Sequence, residues 1–388
     1  MEKLNRILKY ATQNVPFYRD GKYGVDIDEF PIVSKKIIRN NYDIFRSKLF
    51  AEKEIYYEYT SGTSGEPFLC GKSETDLLRL NLSLYRKRFA ICNTLKPNSK
   101  TLVIGSGGLL ANYKQNMLIL SNSFFEEKYL AEILGAIVGF QPEMIYATPS
   151  QFLKFTLFLK ESDRLSYISD KVNIVYIELA GEILTEELRG FFEESWKRAI
   201  TNQYGCREVW HIAFACKEGH LHICEDNVYV EIVDEEGNRL RDGEKGEVVL
   251  TSLNIQANPY IRYRLGDIAS ISTQRCCCGC EAPYLELESG RKNESLLFDN
   301  EKIESVEVHR VFKAFYKKGY RGVLKYALSK GDGCVKINLV VNDCFDTANE
   351  AFVLNEFQNK YKDIKFQICY SNDLEMKEAG KTRVLCSE

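Results

Sequence analysis

The stretch EYTSGTSGEPFLCG, residues 58–71, places two triplets of hydroxyl and glycine residues, Thr60–Gly62 and Thr63–Gly65, directly before Glu66-Pro67. Such a loop exposes many backbone N–H groups and small hydroxyl donors, and its glycines let the backbone approach an anion closely. That combination suits a polyphosphate. The pattern G-x-x-x-x-G-K-[ST] is absent, so the stretch is not a Walker loop. A surface turn rich in turn-forming residues is the alternative interpretation.

The composition indicates a globular chain. Its 388 residues are 45% hydrophobic and 28% charged, which is enough to bury a large core in roughly two or three domains. The net charge of −3, without a basic block, does not favour binding to nucleic acid or to an anionic membrane. The N-terminus does not resemble a signal peptide, and no apolar run reaches the roughly 18 residues of a membrane span. We therefore expect a cytoplasmic protein.

Thirteen cysteines are present in this chain. Without an export signal a disulfide framework is not expected, and most of the thiols should be reduced and buried as small apolar side chains. The exception is the dense run RCCCGC, residues 275–280, whose cysteines are expected to do more than pack as small apolar side chains.

Short apolar runs alternate with helical patterns in the first half of the chain. Residues 100–106, 143–150 and 172–182 are predicted to form buried strands, and the helices between them favour a mostly parallel sheet with both faces covered. After residue 225 alternating strands joined by glycine turns predict an antiparallel region that extends to about residue 289.

The last part of the chain reads as a compact α+β unit with its own order of strands and helices. We expect a large domain over residues 1–289 and a small domain over residues 290–388. The predicted fold class is therefore α/β with mixed β subdomains, followed by a small α+β C-terminal domain.

Six short motifs follow one another in the order typical of the adenylate-forming superfamily, which includes acyl-CoA synthetases, peptide-synthetase adenylation domains and luciferases. They are TSGTSGEP at 60–67, LAGE at 179–182, YGCRE at 204–208, RYRLGD at 262–267, GRKNE at 290–294 and GKTR at 380–383. The chain resembles this superfamily over essentially its whole length. The segments PFYRD, ATPS and HICEDNVYVEIVD are similar to the phenylacetate–CoA ligase-like branch.

The resemblance implies an ATP- and Mg²⁺-dependent enzyme that converts a carboxylic acid into an acyl-adenylate. It implies two catalytic residues: Glu208 would ligate Mg²⁺, and Lys381 on a mobile C-terminal domain would reach the α-phosphate and the attacking carboxylate. The resemblance also implies a set of nucleotide-binding residues. Those for the β- and γ-phosphates are Thr60, Ser61, Gly62, Thr63, Ser64 and Gly65. Gly181 and Glu182 would lie beside the adenine, and Tyr204, which shares its motif with Gly205 and Arg207, would stack on it. Asp267 would bind the ribose hydroxyls, and Arg291 would bind the ribose or the α-phosphate.

Three positions depart from the pattern of the superfamily. Arg207 stands where the family has a Thr or Ser that touches the α-phosphate. Phe68 stands where many members have a lysine near the end of the phosphate loop. Asn293-Glu294 replaces the two aspartates that are usual at the hinge of this branch.

The resemblance implies an acid–thiol ligase whose substrate is an aromatic or medium-sized acid and whose acyl acceptor is CoA. One alternative is an adenylating enzyme that passes the acyl group to an amine or a carrier protein in polysaccharide or secondary-metabolite biosynthesis. A second alternative is a non-catalytic nucleotide-binding regulator, which Arg207 favours and which Lys381 and Asp267 argue against. The sequence leaves open whether the protein is an oligomer.

The cysteine run RCCCGCEAP, residues 275–283, resembles the CxCG of many members of this branch. There it joins a cysteine and a histidine like those of FACKEGHLHI. The predicted ligands of a structural Zn²⁺ are Cys216, His222, Cys276 and Cys278, since thiolates and imidazole suit zinc and four protein ligands close the site. His220 is an alternative to His222, and Cys277 or Cys280 to one of the pair; reduced cysteines without a metal are a further alternative. His211 and His309 are expected to be structural or surface residues, with a contact between His211 and the substrate pocket as the other interpretation.

Overall fold

The computed structural model describes residues 2–21, 23–60, 68–291, 295–299, 301–371 and 384–386. The chain divides into two compact units. The first joins Met1–Lys96 to Gln203–Leu287, and the second joins Pro97–Asn202 to Glu288–Glu388. The segment predicted to be a separate C-terminal domain lies in the second unit, and its boundary at residues 289 and 290 stays a prediction. Among the described residues no helix has the length and apolar character needed to cross a membrane.

The N-terminal segment is mostly helical, and it also contributes short strands. Its elements are α1 (Glu2–Asn14), α2 (Pro16–Asp20), β1 (Val33–Ser34), α3 (Lys35–Asn40), α4 (Tyr42–Phe45), β2 (Ile55–Thr60), β3 (Phe68–Ser73) and α5 (Glu74–Ile91). α1 is amphipathic and buries Leu4, Ile7 and Leu8 on one face. β2 and β3 pair antiparallel from Ile55 opposite Ser73 to Thr60 opposite Phe68.

Residues 97–202 form a parallel sheet packed against helices, as the alternating pattern predicted. The elements are β4 (Thr101–Gly105), β5 (Ala111–Lys114), β6 (Met117–Ser121), α6 (Leu130–Phe140), β7 (Met144–Ala147), α7 (Pro149–Glu161), α8 (Leu165–Lys171), β8 (Tyr176–Ala180), α9 (Glu186–Trp196) and β9 (Ile200–Tyr204). The strands β8, β7, β4 and β6 lie side by side and parallel, and β5 closes the edge antiparallel to β6. β7 and β8 are largely buried, so their apolar residues lie in the core of the second unit.

The second half of the first unit is an antiparallel sheet. Its strands are β10 (Ala213–Ala215), β11 (Leu221–Ile223), β12 (Val228–Val233), β13 (Gly246–Ser252), β14 (Tyr263–Ser272) and β15 (Tyr284–Arg291). The spatial order is β12-β13-β14-β15-β11-β10, and the N-terminal strand β1 pairs parallel with β14, with Val33 opposite Tyr263. This pairing brings the N-terminal helices onto the same core as the antiparallel sheet.

The C-terminal part combines strands and helices, as the α+β pattern of its sequence predicts. Its elements are β16 (Ser295–Phe298), β17 (Glu301–Glu304), α10 (Ser305–Lys317), β18 (Val323–Gly331), β19 (Cys334–Val341), α11 (Thr347–Lys360), β20 (Phe366–Tyr370) and β21 (Leu385–Cys386). β16 and β17 form a hairpin, and the other strands form a mixed sheet in the order β20-β19-β18-β21. Within the second unit, Leu324, Ala327 and Val340 of this sheet belong to the same buried cluster as Leu188 of α9.

Asp76 is a fully buried carboxylate that joins the start of α5 to a distant loop. Its side chain accepts hydrogen bonds from the backbone N–H of Ser73 (3.0 Å), Gln256 (2.8 Å) and Ala257 (2.9 Å). Because Ser73 and Ala257 are buried, the carboxylate satisfies N–H groups that would otherwise be costly to bury.

We expect Asp76→Ala to lower the free energy of unfolding by about 3 kcal/mol, since it leaves buried N–H groups without an acceptor and removes a helix cap. Urea denaturation monitored by circular dichroism measures the loss. Glu74→Ala is the matched control, because Glu74 lies in the same helical turn but is exposed, and it should cost less than about 1 kcal/mol. Equal losses in the two variants would contradict this role for Asp76.

Candidate active site and metal centre

Tyr204 and Asp267, which come from two separate motifs, meet in the first unit. Tyr204 ends β9 and Asp267 lies in β14, and the hydroxyl of Tyr204 donates a 2.7 Å hydrogen bond to Oδ2 of Asp267. Both side chains are partly exposed. An aromatic ring and a carboxylate are therefore held side by side where solvent and a ligand can reach them.

Gly205 follows Tyr204 and is required by the backbone at this turn. A Cβ atom at this position would collide with the carbonyl oxygen of Trp210. The chain therefore folds back tightly from Gly205 to Trp210, and this turn positions the two residues between them that the motif identified, Arg207 and Glu208.

Glu208 is a buried carboxylate, 4% exposed, at the centre of this turn. Its Oε1 accepts a 2.8 Å hydrogen bond from the hydroxyl of Tyr263, and Nζ of Lys35 lies 3.8 Å from the same oxygen. Burial, together with the negative charge of Glu208, raises the pKa of Tyr263 well above its usual value, so the tyrosine stays a neutral donor. The pairing of Val33 with Tyr263 explains why Lys35, two residues after Val33, reaches Glu208.

Arg207 is exposed, while its backbone is held in place. Its carbonyl oxygen accepts a 2.9 Å hydrogen bond from Nζ of Lys72 in β3. Arg207, which departs from the family pattern, thus presents its charged side chain to solvent, while Lys72 holds its backbone carbonyl.

The motif LAGE, which is predicted to lie beside the adenine, begins in the last two residues of β8 in the second unit. Gly181 has a φ of 86°, in the left-handed region that favours glycine. Glu182 accepts hydrogen bonds from the backbone N–H of Ser150 (2.9 Å) and from the hydroxyl of Ser150, at the N-terminus of α7. Glu182 therefore stabilises the start of α7, where a negative charge is favoured.

The structure does not describe several of the predicted site residues. Ser61, Gly62, Thr63, Ser64, Gly65 and Lys381 lie outside the described residues, as do the side chains of Thr60 and Arg291. β2 and β3 border the predicted phosphate loop, and Arg291 ends β15. The roles of these residues stay predictions.

The four predicted zinc ligands come together in the first unit. Cys216 and His222 lie at the β10–β11 hairpin, Cys276 and Cys278 lie between β14 and β15, and their ligand atoms all lie within 4.8 Å of one another. The sulfur atoms of Cys216 and Cys276 are 3.9 Å apart, and Nε2 of His222 is 3.3 Å from the sulfur of Cys278. Ligands at zinc distances on a tetrahedron would place sulfur atoms about 3.8 Å apart, so this set fits the ion.

Neighbouring groups orient these ligands. Nδ1 of His222 is 2.7 Å from the carbonyl oxygen of Ala282, which fixes the N–H on Nδ1 and directs the lone pair of Nε2 into the cluster. His220, the alternative ligand, contacts the sulfur of Cys276 through Nδ1 at 3.2 Å and lies outside the set of four mutually close ligand atoms. The hydrogen bond from His220 lowers the pKa of the Cys276 thiol to about 5. Cys277 is exposed, so the geometry favours the predicted set over the alternatives.

His211 and His309 are both buried, which agrees with their structural interpretation. Nε2 of His211 forms a 2.8 Å hydrogen bond with the hydroxyl of Ser83, and Nδ1 of His309 forms one of 2.6 Å with the hydroxyl of Tyr326. Burial lowers the pKa of each imidazole to about 4. A contact between His211 and a substrate is not supported, because its side chain has no exposed surface.

Sequence reasoning missed Glu58, Lys72, Tyr263 and Lys35. A signal was present for two of them, since Glu58 and Lys72 are charged residues within the otherwise apolar strands on either side of the phosphate loop. Tyr263 and Lys35 carried no such signal, because their contacts depend on the pairing of β1 with β14.

Comparison with known proteins now assigns the chain to a family. The sequence pattern of AMP-binding enzymes matches residues 44–256, which are 213 of the 388 residues. The chain belongs to the AMP-binding enzyme family. A phenylacetate–coenzyme A ligase of Thermus thermophilus is 26% identical to this AMP-binding enzyme, over 81% of this chain and 74% of the relative. The ligase of the same name in Escherichia coli is 29% identical, over 70% of this chain and 66% of the relative.

A solved structure shows the same fold. The 2-hydroxyisobutyryl-CoA ligase in its postadenylation state, in complex with R3-HIB-AMP, superposes with a TM-score of 0.74 at 15% identity, over 100% of this chain and 88% of that one. The predicted fold class and the predicted resemblance to the phenylacetate–CoA ligase-like branch are therefore confirmed.

The buried imidazole of His211 makes stability depend on pH. Its folded-state pKa of about 4 lies below the value of about 6.5 expected in the unfolded chain. The unfolded chain therefore binds an extra proton between pH 6.5 and 4, and the free energy of unfolding falls as the pH is lowered through this window. From pH 7 to pH 4.5 the wild type should lose about 2–3 kcal/mol more than His211→Gln. Urea denaturation at the two pH values measures the difference, and parallel losses would contradict it.

Proposed function

We propose that this AMP-binding enzyme is an ATP-dependent acid–CoA ligase that activates a carboxylic acid as an acyl-adenylate. The observation that carries the proposal is the hydrogen bond between Tyr204 and Asp267, since it joins the ring assigned to the adenine to the carboxylate assigned to the ribose. A carboxylate offers about four lone-pair positions. Asp267 accepts the tyrosine hydroxyl at Oδ2, and a carboxylate is the group that the proposal assigns to the ribose hydroxyls.

In the first half-reaction a carboxylate oxygen attacks the α-phosphorus of ATP. A new bond forms between this oxygen and the α-phosphorus, the bond from the α-phosphorus to the bridging oxygen of the β-phosphate breaks, and pyrophosphate leaves. The protein contributes position and charge, because the transition state spreads negative charge over the phosphate oxygens. The loop from Thr60 to Gly65 grips the β- and γ-phosphates, and Lys381 brings its ammonium to the α-phosphate and the attacking carboxylate.

Glu208 holds Mg²⁺ in this proposal. The carboxylate is a hard oxygen ligand of the kind this ion prefers, and the ion, when bound, neutralises charge on the departing phosphates. Tyr263 fixes the carboxylate by its hydrogen bond to Oε1, and Lys35 near the same oxygen partly balances its charge before the ion and nucleotide bind. Gly181 and Glu182 lie beside the adenine in the same proposal, and Arg291 contacts the ribose or the α-phosphate.

In the second half-reaction the sulfur of CoA attacks the acyl carbonyl carbon. A thioester bond forms, the bond from this carbon to the phosphate oxygen breaks, AMP leaves and the thiol gives up its proton. The residues 290–388, as a mobile C-terminal domain, exchange Lys381 for a thiol-binding face between the two steps. Phenylacetate ligases among the relatives favour an aromatic or medium-sized acid. An amine or a carrier protein is the alternative acceptor.

A structural Zn²⁺ completes the proposal. Cys216, His222, Cys276 and Cys278 hold it with a closed set of three thiolates and one imidazole, so it has no open position for catalysis. The ion would tie the β10–β11 hairpin to the loop between β14 and β15. β10 pairs with the end of β9 at Tyr204, and β14 carries Asp267. The zinc site would therefore stabilise the strands next to both Tyr204 and Asp267.

Pyrophosphate release tests the activity. A panel of aromatic and aliphatic carboxylates, assayed with ATP and Mg²⁺ and with or without CoA, should give pyrophosphate and AMP with at least one acid, and a thioester only with CoA. ATP binding without pyrophosphate release for any acid would instead favour a nucleotide-binding regulator.

Lys381→Ala should lower the rate of pyrophosphate release by about 100-fold or more, as expected when one charge-stabilising donor is removed from a transition state. ATP binding by the folded variant should change far less. Lys362→Ala removes an exposed lysine of the same unit and serves as the matched control. Turnover that is unaffected by Lys381→Ala would contradict the assigned role.

Metal analysis tests the zinc site. Protein purified without added metal should contain about one Zn²⁺ per chain. Cys276→Ser and Cys278→Ser should lose it and unfold at a lower temperature, because the binding free energy of a structural metal contributes to folding. Cys277→Ser changes the exposed neighbour and should keep the metal. Zinc content that is equal in the three variants would contradict the ligand set.

A further inference from the structure

Lys72 is a fully buried lysine, with 0% of its side chain exposed. Lysine side chains are almost never buried completely unless they are paired. Lys72 lies in β3, the strand that follows the predicted phosphate loop. An ammonium group in this position requires partners, and the structure supplies them from two other segments of the first unit.

The partners of Lys72 form a small closed network. Its Nζ lies 2.6 Å from Oε2 of Glu58 and donates a 2.9 Å hydrogen bond to the carbonyl oxygen of Arg207. The indole N–H of Trp210 donates a 3.0 Å hydrogen bond to the same oxygen of Glu58, and Nζ of Lys72 is 6.0 Å from the centre of the Trp210 ring. Three segments of the chain therefore meet at one ion pair.

The register of β2 and β3 explains how the pair forms. Glu58 lies opposite Cys70 and Tyr56 lies opposite Lys72, so Glu58 and Lys72 are diagonal neighbours on the same face of the two strands. Glu58 comes two residues before Thr60. The pair thus links the two strands close to the point where each one borders the phosphate loop.

Glu58 remains charged in this environment. Desolvation by itself would raise the pKa of its carboxyl, but the Lys72 ammonium and the Trp210 indole outweigh it, and the pKa is lowered. Trp210 has a φ of 67°, an unfavourable backbone conformation for a bulky residue, so its contact with Glu58 also holds a strained turn. The network therefore joins the end of β2 to a turn that contains a strained residue.

We propose that Lys72 and Glu58 are a positioning pair that couples the strands of the phosphate loop to the Arg207–Glu208 turn. The proposal rests on the proposed function, in which residues 60–65 grip the β- and γ-phosphates and Glu208 holds the metal ion. The pair holds the adjoining ends of β2 and β3 in a fixed position relative to the turn that carries Glu208. Lys72 itself does not contact the nucleotide, because it has no exposed surface.

A purely structural pair would weaken the protein without regard to the ligand. A positioning pair has a specific signature: its loss weakens binding to the phosphates and spares binding to the adenosine portion, which Tyr204 and Asp267 recognise in the proposed function. Calorimetric titration of the full-length protein with ATP and Mg²⁺, and separately with adenosine, distinguishes the two roles.

Lys72→Met keeps the length of the side chain and removes its charge. We expect the Kd for ATP to rise by at least about tenfold, as for loss of a buried charge-assisted contact, while the Kd for adenosine changes less than about twofold. The rate of pyrophosphate release at saturating ATP should fall less than the apparent KM for ATP rises. Lys53→Met, at an exposed lysine before β2, is the matched control and should leave both ligands unaffected.

The double variant Lys72→Met/Glu58→Gln removes both charges, so it leaves neither charge without its partner. It therefore provides the test if Lys72→Met alone does not fold. It should show the same selective loss for ATP. Unchanged ATP affinity, or equal losses for ATP and adenosine, would overturn the positioning role. A wild-type protein that binds no ATP would overturn the proposed function instead, so the two failures are distinguishable.

Discussion

The buried carboxylate of Glu208 is the constraint on which the first unit depends. A carboxylate withdrawn from water is unfavourable unless hydrogen bonds and opposite charges compensate for it. Here the compensation comes from Tyr263 in β14 and from Lys35 after β1, which are far apart in sequence and are brought together by one short parallel pairing. The N-terminal segment is thus part of the site and not an appendage to it.

The stretch that contains the predicted phosphate loop carries no positive charge of its own. Residues 58–71 contain no lysine or arginine, and Phe68 is one of the positions that depart from the pattern of the superfamily. In the structure, Lys35 lies with Nζ 5.0 Å from the centre of the Phe68 ring. Phe68, which departs from the family pattern, is therefore covered by the ammonium group of Lys35. This contact places a positive charge at the start of β3.

The motifs singled out residues whose type is restricted by chemistry, and they did not indicate contacts that depend on packing. Tyr204 and Asp267 were singled out separately, and their hydrogen bond is a finding of the structure. The four predicted zinc ligands were named from short motifs, and their ligand atoms lie close together. Periodicity also gave the alternating strands and helices between residues 100 and 182 and the antiparallel strands after residue 225. The two-residue strand β1 has no periodicity of its own, so Lys35 could not be assigned, and the division of the chain into two units depends on contacts between distant segments.

The first unit is assembled from two stretches of chain with residues 97–202 between them. On a ribosome, β1 and the apolar face of α1 emerge long before β14, which they need to bury their side chains. Contacts between segments so distant in sequence form slowly, and apolar surface that waits for a partner favours aggregation. During synthesis of this chain the apolar face of α1 therefore stays without its partner strands until β14 has been made.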